Sequence, residues 1–138
     1  MRKHLTPEDL GDFLEAPHLA VLATYRRDGT VLLSPVWHEW RDGGFNVVTV
    51  SGEAKAGHLR RDPRASIVVA EDERPYRGIE VRATARLGPV DPSVVRRIAS
   101  RYLGEEGGAR YVESAEDDLL VRLEPGELRV WDFRDVLD

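Results

Sequence analysis

The residues best suited to binding chemistry lie in the run Thr49-Val50-Ser51-Gly52-Glu53-Ala54-Lys55-Ala56-Gly57-His58-Leu59. The run reads as a strand that passes into a helix. Ser51 or Gly52 suits the helix cap, and the backbone N–H groups at such a start point outward and favour an anion. Lys55 falls in the first turn and His58 three residues later, so the two share a face. A lysine at a helix start is electrostatically unfavourable by itself and makes sense beside a bound anion. A solvated lysine with an incidental histidine satisfies the same spacing, and spacing alone does not choose between the two.

A second stretch is Ser34-Pro35-Val36-Trp37. Pro35 cannot donate to a sheet ladder, so it marks an edge, a bulge, or a place where the strand serves something else. Free backbone groups beside apolar surface suit a ring with polar edges. A bulge that bends the strand, with Trp37 in the core, is compatible with that reading. His38 and Glu39 are adjacent in a strand and point to opposite faces, so they form no catalytic pair. His4 and His18 are scattered, and no histidine spacing suggests a metal site. A Ser-His-Asp assembly lacks any nucleophile-elbow sequence. Tyr76-Arg77 suits either an anion contact at a loop or a surface turn. In Trp131-Asp132-Phe133 the two aromatics share one face.

These residues need elements to hold them. Thr6 as N-cap, Pro7, and the acids Glu8 and Asp9 start a first helix that Pro17 stops. Leu19 to Thr24, Thr30 to Trp40 (interrupted at Pro35) and Phe45 to Val50 read as a meander of strands joined at Asp28-Gly29 and Asp42-Gly43-Gly44. Glu53 to Arg61 is a short helix and Ala65 to Ala70 a strand. Ile79 to Leu87 alternates as a strand should. Asp91-Pro92 starts a helix whose pattern breaks at Gly107-Gly108. Leu119 to Leu123 and Glu127 to Phe133 read as a hairpin around Pro125-Gly126. The expectation is a single domain over 1–138: mainly β, a six- to seven-stranded antiparallel barrel with short helices.

The 138 residues are 41% apolar and 33% charged, with no cysteine and a net charge of −5. Disulfides, thiolate metal sites and cysteine nucleophiles are excluded. The acidic balance argues against nucleic acid, and no apolar run is long enough for a membrane helix. The start, Met1 to Glu8, lacks the apolar stretch of a signal peptide, so a cytoplasmic location is expected.

The lysine segment is followed by Arg60-Arg61-Asp62-Pro63-Arg64-Ala65-Ser66. With Ser34-Pro35-Val36-Trp37, Tyr76-Arg77-Gly78 and Trp131-Asp132-Phe133 in order, the chain resembles the pyridoxamine 5'-phosphate oxidase-like split-barrel superfamily, most of all its coenzyme F420-dependent branch. The resemblance runs from Leu19 to Phe133. It implies a homodimer with two cofactor sites at the interface, and a reductase that passes hydride from reduced F420 to a small electron-poor organic substrate. An FMN-dependent oxidoreductase of the same fold is the alternative, as is a non-catalytic flavin, F420 or haem carrier with His58 or His38 on iron. It implies cofactor contacts at Ser34, Pro35, Val36, Trp37, Thr49, Ser51, Lys55, His58, Leu59, Arg77 and Trp131, with no metal. His58 stands where asparagine is common, and Glu53 where arginine or serine often assists the phosphate. The C-terminus lacks the Arg-x-His motif of true pyridoxamine phosphate oxidases, which argues against that reaction.

Overall fold

A computed structural model describes residues 4–115 and 117–137. Two 3-10 turns, Pro7–Leu10 and Phe13–Glu15, open the chain. Thr6 and Asp9 form a capping box at the first turn, with Asp9 accepting from Thr6 N–H at 2.7 Å. Leu10 and Phe13 are fully buried against the sheet.

Seven strands follow: β1 Ala20–Tyr25, β2 Val31–Val36, β3 His38–Arg41, β4 Gly44–Val50, β5 Arg64–Ala70, β6 Gly78–Pro89 and β7 Asp118–Trp131. They form one antiparallel sheet in the order β2-β1-β5-β6-β7-β4-β3. β2 and β3 therefore sit at opposite edges. Only Trp37 separates them in the chain. A one-residue link spans a few ångströms, so the sheet must curl until its edges meet. The result is a barrel split along one seam, with Trp37 at the seam. This corrects the simple meander: β1 pairs with β2 and β3 with β4, but β2 does not pair with β3.

The strand interruption falls at Trp37 rather than Pro35. Pro35 lies inside β2, opposite Val21. β2 is an edge strand, and there a proline is tolerated where its nitrogen faces away from β1. Leu22, Phe45, Val47, Ile67, Val69, Ile79, Val81, Val121 and Leu123 fill the interior, each almost wholly buried.

The expected C-terminal hairpin is a single strand instead. β7 pairs with β6 along its length, with a register shift at Arg82: Val81 faces Leu128 and Ala83 faces Pro125. Gly126 and Glu127 thus oppose one residue. Pro125-Gly126 makes a bulge that bends the strand, not a turn that ends it.

Two α-helices complete the barrel, α1 Ala54–Arg61 and α2 Pro92–Ser114, with a short α3 at Arg134–Leu137. Asp91 caps α2 by accepting from Ser93 N–H at 2.8 Å. The break expected at Gly107-Gly108 occurs at Gly104, whose φ of 79° lies in the region that favours glycine. There α2 bends back on itself. Gly108 packs so close to Ser100 that a Cβ would lie 2.9 Å from its Cα.

Candidate functional site

α2 closes the seam. Trp37 stacks on Tyr102 at 5.1 Å between ring centroids and meets Tyr111 at 5.4 Å. The bend at Gly104 is what brings both tyrosines to one indole. The Tyr102 hydroxyl accepts from His38 N–H at 3.1 Å and donates to the His18 carbonyl at 2.9 Å. Arg101 donates to the carbonyls of His38, Leu14 and Ala16, tying the β3 edge and the opening turns to the helix. Beside it Glu39, nearly buried, takes a bidentate bond from Arg97 (2.7 and 2.6 Å) and one from Asn46 at 3.0 Å. Burial acts to raise the Glu39 pKa, but Arg97 and Asn46 together hold it below its ordinary value.

His38 is fully buried inside this seam. Its Nε2 lies 3.0 Å from the His18 carbonyl, while Nδ1 has no partner. Nε2 therefore donates, and the ring is neutral. Burial, then the nearby Arg101, depress its pKa to about 4.

A cavity of about 200 Å3 opens where β4 hands over to α1. Pro35, Val36 and Trp37 form one wall and Val48, Thr49 and Val50 another. Glu53 and Lys55 come from the start of α1, Tyr111 from α2 and Asp118 from β7. A larger, more open cavity of about 830 Å3 adjoins it, sharing Val50 and Asp118 and adding Ser51, Gly52 and Arg60. The smaller cavity thus carries the aromatic rings and the charged groups Glu53, Lys55 and Asp118, and the wider one is lined largely by Val50, Leu87, Pro89 and Leu119, with Ser51, Arg60 and Asp117.

The electrostatics of the smaller cavity centre on four ionisable residues, Glu53, Lys55, Asp118 and Tyr111. Glu53, not Ser51 or Gly52, is the N-cap of α1, and its side chain does not cap. Its carboxylate instead pairs directly with the Lys55 ammonium and accepts from Thr49 Oγ1 at 3.4 Å. Asp118 has one carboxylate oxygen, Oδ2, buried without a partner. Burial, then Asp117 and Glu53, raise its pKa. Tyr111 is raised too, by burial and then by Asp118 and Glu53.

The residues expected at a cofactor divide into groups. Pro35, Val36, Trp37, Thr49 and Lys55 meet in the smaller cavity. Ser51 lies in the adjoining one, where its hydroxyl and carbonyl accept from Arg60 at 2.7 and 3.0 Å. Ser34 faces inward opposite Leu22. His58 turns to the barrel, with Nδ1 3.0 Å from the buried Thr24 hydroxyl, and Leu59 enters the core. Arg77 binds Glu71, Asp12 and the Leu10 carbonyl, stapling the opening turns to the β5–β6 loop, and Glu71 chiefly raises its pKa. Trp131 sits at the opposite end of β7 from Asp118. It covers Gly78 so closely that a Cβ there would lie 2.1 Å from its ring, and Arg129 lies 4.8 Å from the ring centre. Asp118 and Tyr111 were not anticipated. The acidic pair Asp117-Asp118, placed just before an apolar strand, is the sequence signal that marks the first.

Fold and seam together define a small split barrel with a cavity at its edge. The chain belongs to the pyridoxamine 5'-phosphate oxidase family, whose model matches residues 6–132. No curated protein matches it. Among solved structures it is similar to the conserved hypothetical protein Rv2991 from Mycobacterium tuberculosis, at 25% identity and a TM-score of 0.80, over 97% of this chain and 89% of that one. An F420 reductase is 24% identical, TM-score 0.73, over 90% of this chain and 98% of the other. The haem storage protein HutZ from Vibrio cholerae is 22% identical, TM-score 0.69, over 90% and 93%. At these last two identities the likeness shows the fold alone, and the fold serves both a reductase and a haem store. No helix among the described residues is long and apolar enough to cross a membrane.

Proposed function

We propose that this cavity pair binds a flavin-type cofactor, coenzyme F420 in preference to FMN, and that the protein is an F420-dependent reductase. The observation that carries the reading is the meeting of Pro35, Val36, Trp37, Thr49 and Lys55 in one cavity. Residues far apart in the chain supply apolar walls, an aromatic edge and a cation. The preference for F420 follows the resemblance of Arg60-Arg61-Asp62-Pro63-Arg64, in order with Ser34-Pro35-Val36-Trp37 and Trp131-Asp132-Phe133, to the F420-dependent branch.

When bound, the deazaflavin supplies a hydride to an electron-poor carbon of a small organic substrate. The residues bind and orient. Val48, Val50 and Trp37 offer apolar surface for a ring, the Pro35–Trp37 backbone offers polar groups at its rim, and Lys55 faces the phosphate. The smaller cavity, about 200 Å3, is below the usual ~300–1000 Å3 of a small-molecule site, and the adjoining one is wide and open, so one copy leaves the cofactor partly uncovered. A second copy supplies the rest in a homodimer. The outward face of β2 supports this, since Val31 and Leu33 are exposed there on an unpaired edge. A haem carrier is less well supported, because His38 is buried and His58 is bonded to Thr24. Fluorescence titration with F420 tests the binding, and oxidation of reduced F420 across a panel of enones and quinones tests the reaction. A protein that binds F420 but oxidises it with no acceptor is a carrier.

A further inference from the structure

The cavity that faces the proposed phosphate is not electropositive. Its lone lysine is already neutralised. Glu53 holds Lys55 and is itself held by the Thr49 hydroxyl on β4, so the pair is fixed from two elements. Asp118 adds a second carboxylate, with one oxygen buried and unpartnered. Lys55 contributes one positive charge to the cavity wall, and Glu53 and Asp118 contribute two negative ones. Arg60 in the adjoining cavity is turned to Ser51, with Asp117 nearby. A conventional phosphate grip would place cations here and leave out the acids.

We propose that Glu53 and Asp118 make the site selective for phosphate charge: it admits a phosphodiester, with one negative charge, and disfavours a terminal phosphomonoester, with close to two. The proposal rests on the cofactor reading above and sharpens it, because F420 carries its phosphate as a diester and FMN as a monoester. A monoester loses its last proton near pH 6 and is almost dianionic at pH 8. The second charge meets Glu53 and Asp118 where Lys55 is already paired and Arg60 is held on Ser51 in the adjoining cavity, which is worth about tenfold in affinity at partly exposed distances. Glu53 is the stronger determinant, since it competes directly for Lys55. Asp118 is faced by Glu53 and Lys55 from the start of α1, Tyr111 from α2, Asp117 just before its own strand and Arg60 across the wider cavity. Its raised pKa means that the repulsion relaxes as pH falls.

The test keeps the ring constant. FMN and its monomethyl phosphate ester differ by one charge, and riboflavin serves as the uncharged reference. Each is titrated into the full chain by flavin fluorescence at pH 8 and pH 5.5. The expected result is that the ester binds about tenfold more tightly than FMN at pH 8, and that the gap narrows at pH 5.5. Glu53→Gln, with folding checked by its thermal midpoint, narrows the gap at pH 8 by tightening FMN. Asp118→Asn does the same to a smaller extent and carries the test if Glu53→Gln does not fold. FMN binding as tightly as the ester at pH 8, or a gap unchanged in both variants, overturns the proposal. Failure of all three flavins and of F420 to bind overturns the cofactor reading itself, and the selectivity falls with it.

Discussion

Acidification should loosen the seam through His38, and the size of the effect follows from its burial. In the unfolded chain an imidazole protonates near 6.5, whereas in the folded protein burial and Arg101 push this to about 4. Between these values the unfolded state binds more protons, so stability is full above 6.5 and falls as pH drops toward 4. Integrating over that window gives a loss of about 2 kcal/mol by pH 5 and about 3 kcal/mol by pH 4. For a chain of this size, the pH 5 loss lowers the thermal midpoint by roughly 6–10 °C. Carboxylates such as Glu39 and Glu71, with lowered pKa values, act only below their usual range. The interval from pH 6.5 to 5 therefore isolates His38 from them. Asp118 works in the opposite sense, and comparison with His38→Phe cancels it. That variant leaves no new orphan, because the His18 carbonyl still accepts from Tyr102. Urea unfolding of both proteins at pH 7.5 and pH 5 measures the difference. A wild-type loss that His38→Phe does not reduce refutes the assignment.

Other outcomes follow from the same contacts. Lys55→Ala leaves Glu53 unneutralised against the phosphate, so cofactor affinity should fall by about 2–3 kcal/mol, with part restored in the Lys55→Ala/Glu53→Gln double variant; an unchanged dissociation constant would remove Lys55 from the site. Gly78→Ala places a Cβ 2.1 Å from the Trp131 ring, and should cost about 2 kcal/mol by denaturant unfolding and shift tryptophan emission. Asp118 in the folded state holds its proton to higher pH than in the unfolded state, so its ionisation costs stability as pH rises. Asp118→Asn should raise the thermal midpoint at pH 8 and not at pH 4; partial exposure keeps the gain to about 2 °C.

The barrel strands were legible because their alternation is strong, as in Ile79 to Leu87, and because Asp28-Gly29 and Asp42-Gly43 mark real turns. What the sequence concealed was long-range. Nothing local in Val36-Trp37-His38 says that two consecutive strands lie at opposite edges of a sheet; only the pairing of β4 with β7 and β1 with β5 makes it so. Pro125-Gly126 carries a turn signature, yet a bulge uses the same residues. The Gly104 bend was masked by Gly107-Gly108, which serve close packing instead. The site was legible by its β4–α1 segment and by Pro35 to Trp37. The ion pair of Glu53 with Lys55 required side-chain directions that spacing does not carry. Tyr111 and Asp118 arrive from distant segments through the bend in α2 and the start of β7.

Comparison of the two cofactors' affinities tests the central claim most sharply. Purified protein is titrated with F420 and, separately, with FMN at pH 7.5, following ligand fluorescence. The account predicts saturable binding of F420 at a lower dissociation constant than FMN. Binding of FMN with none of F420, or of neither, contradicts it.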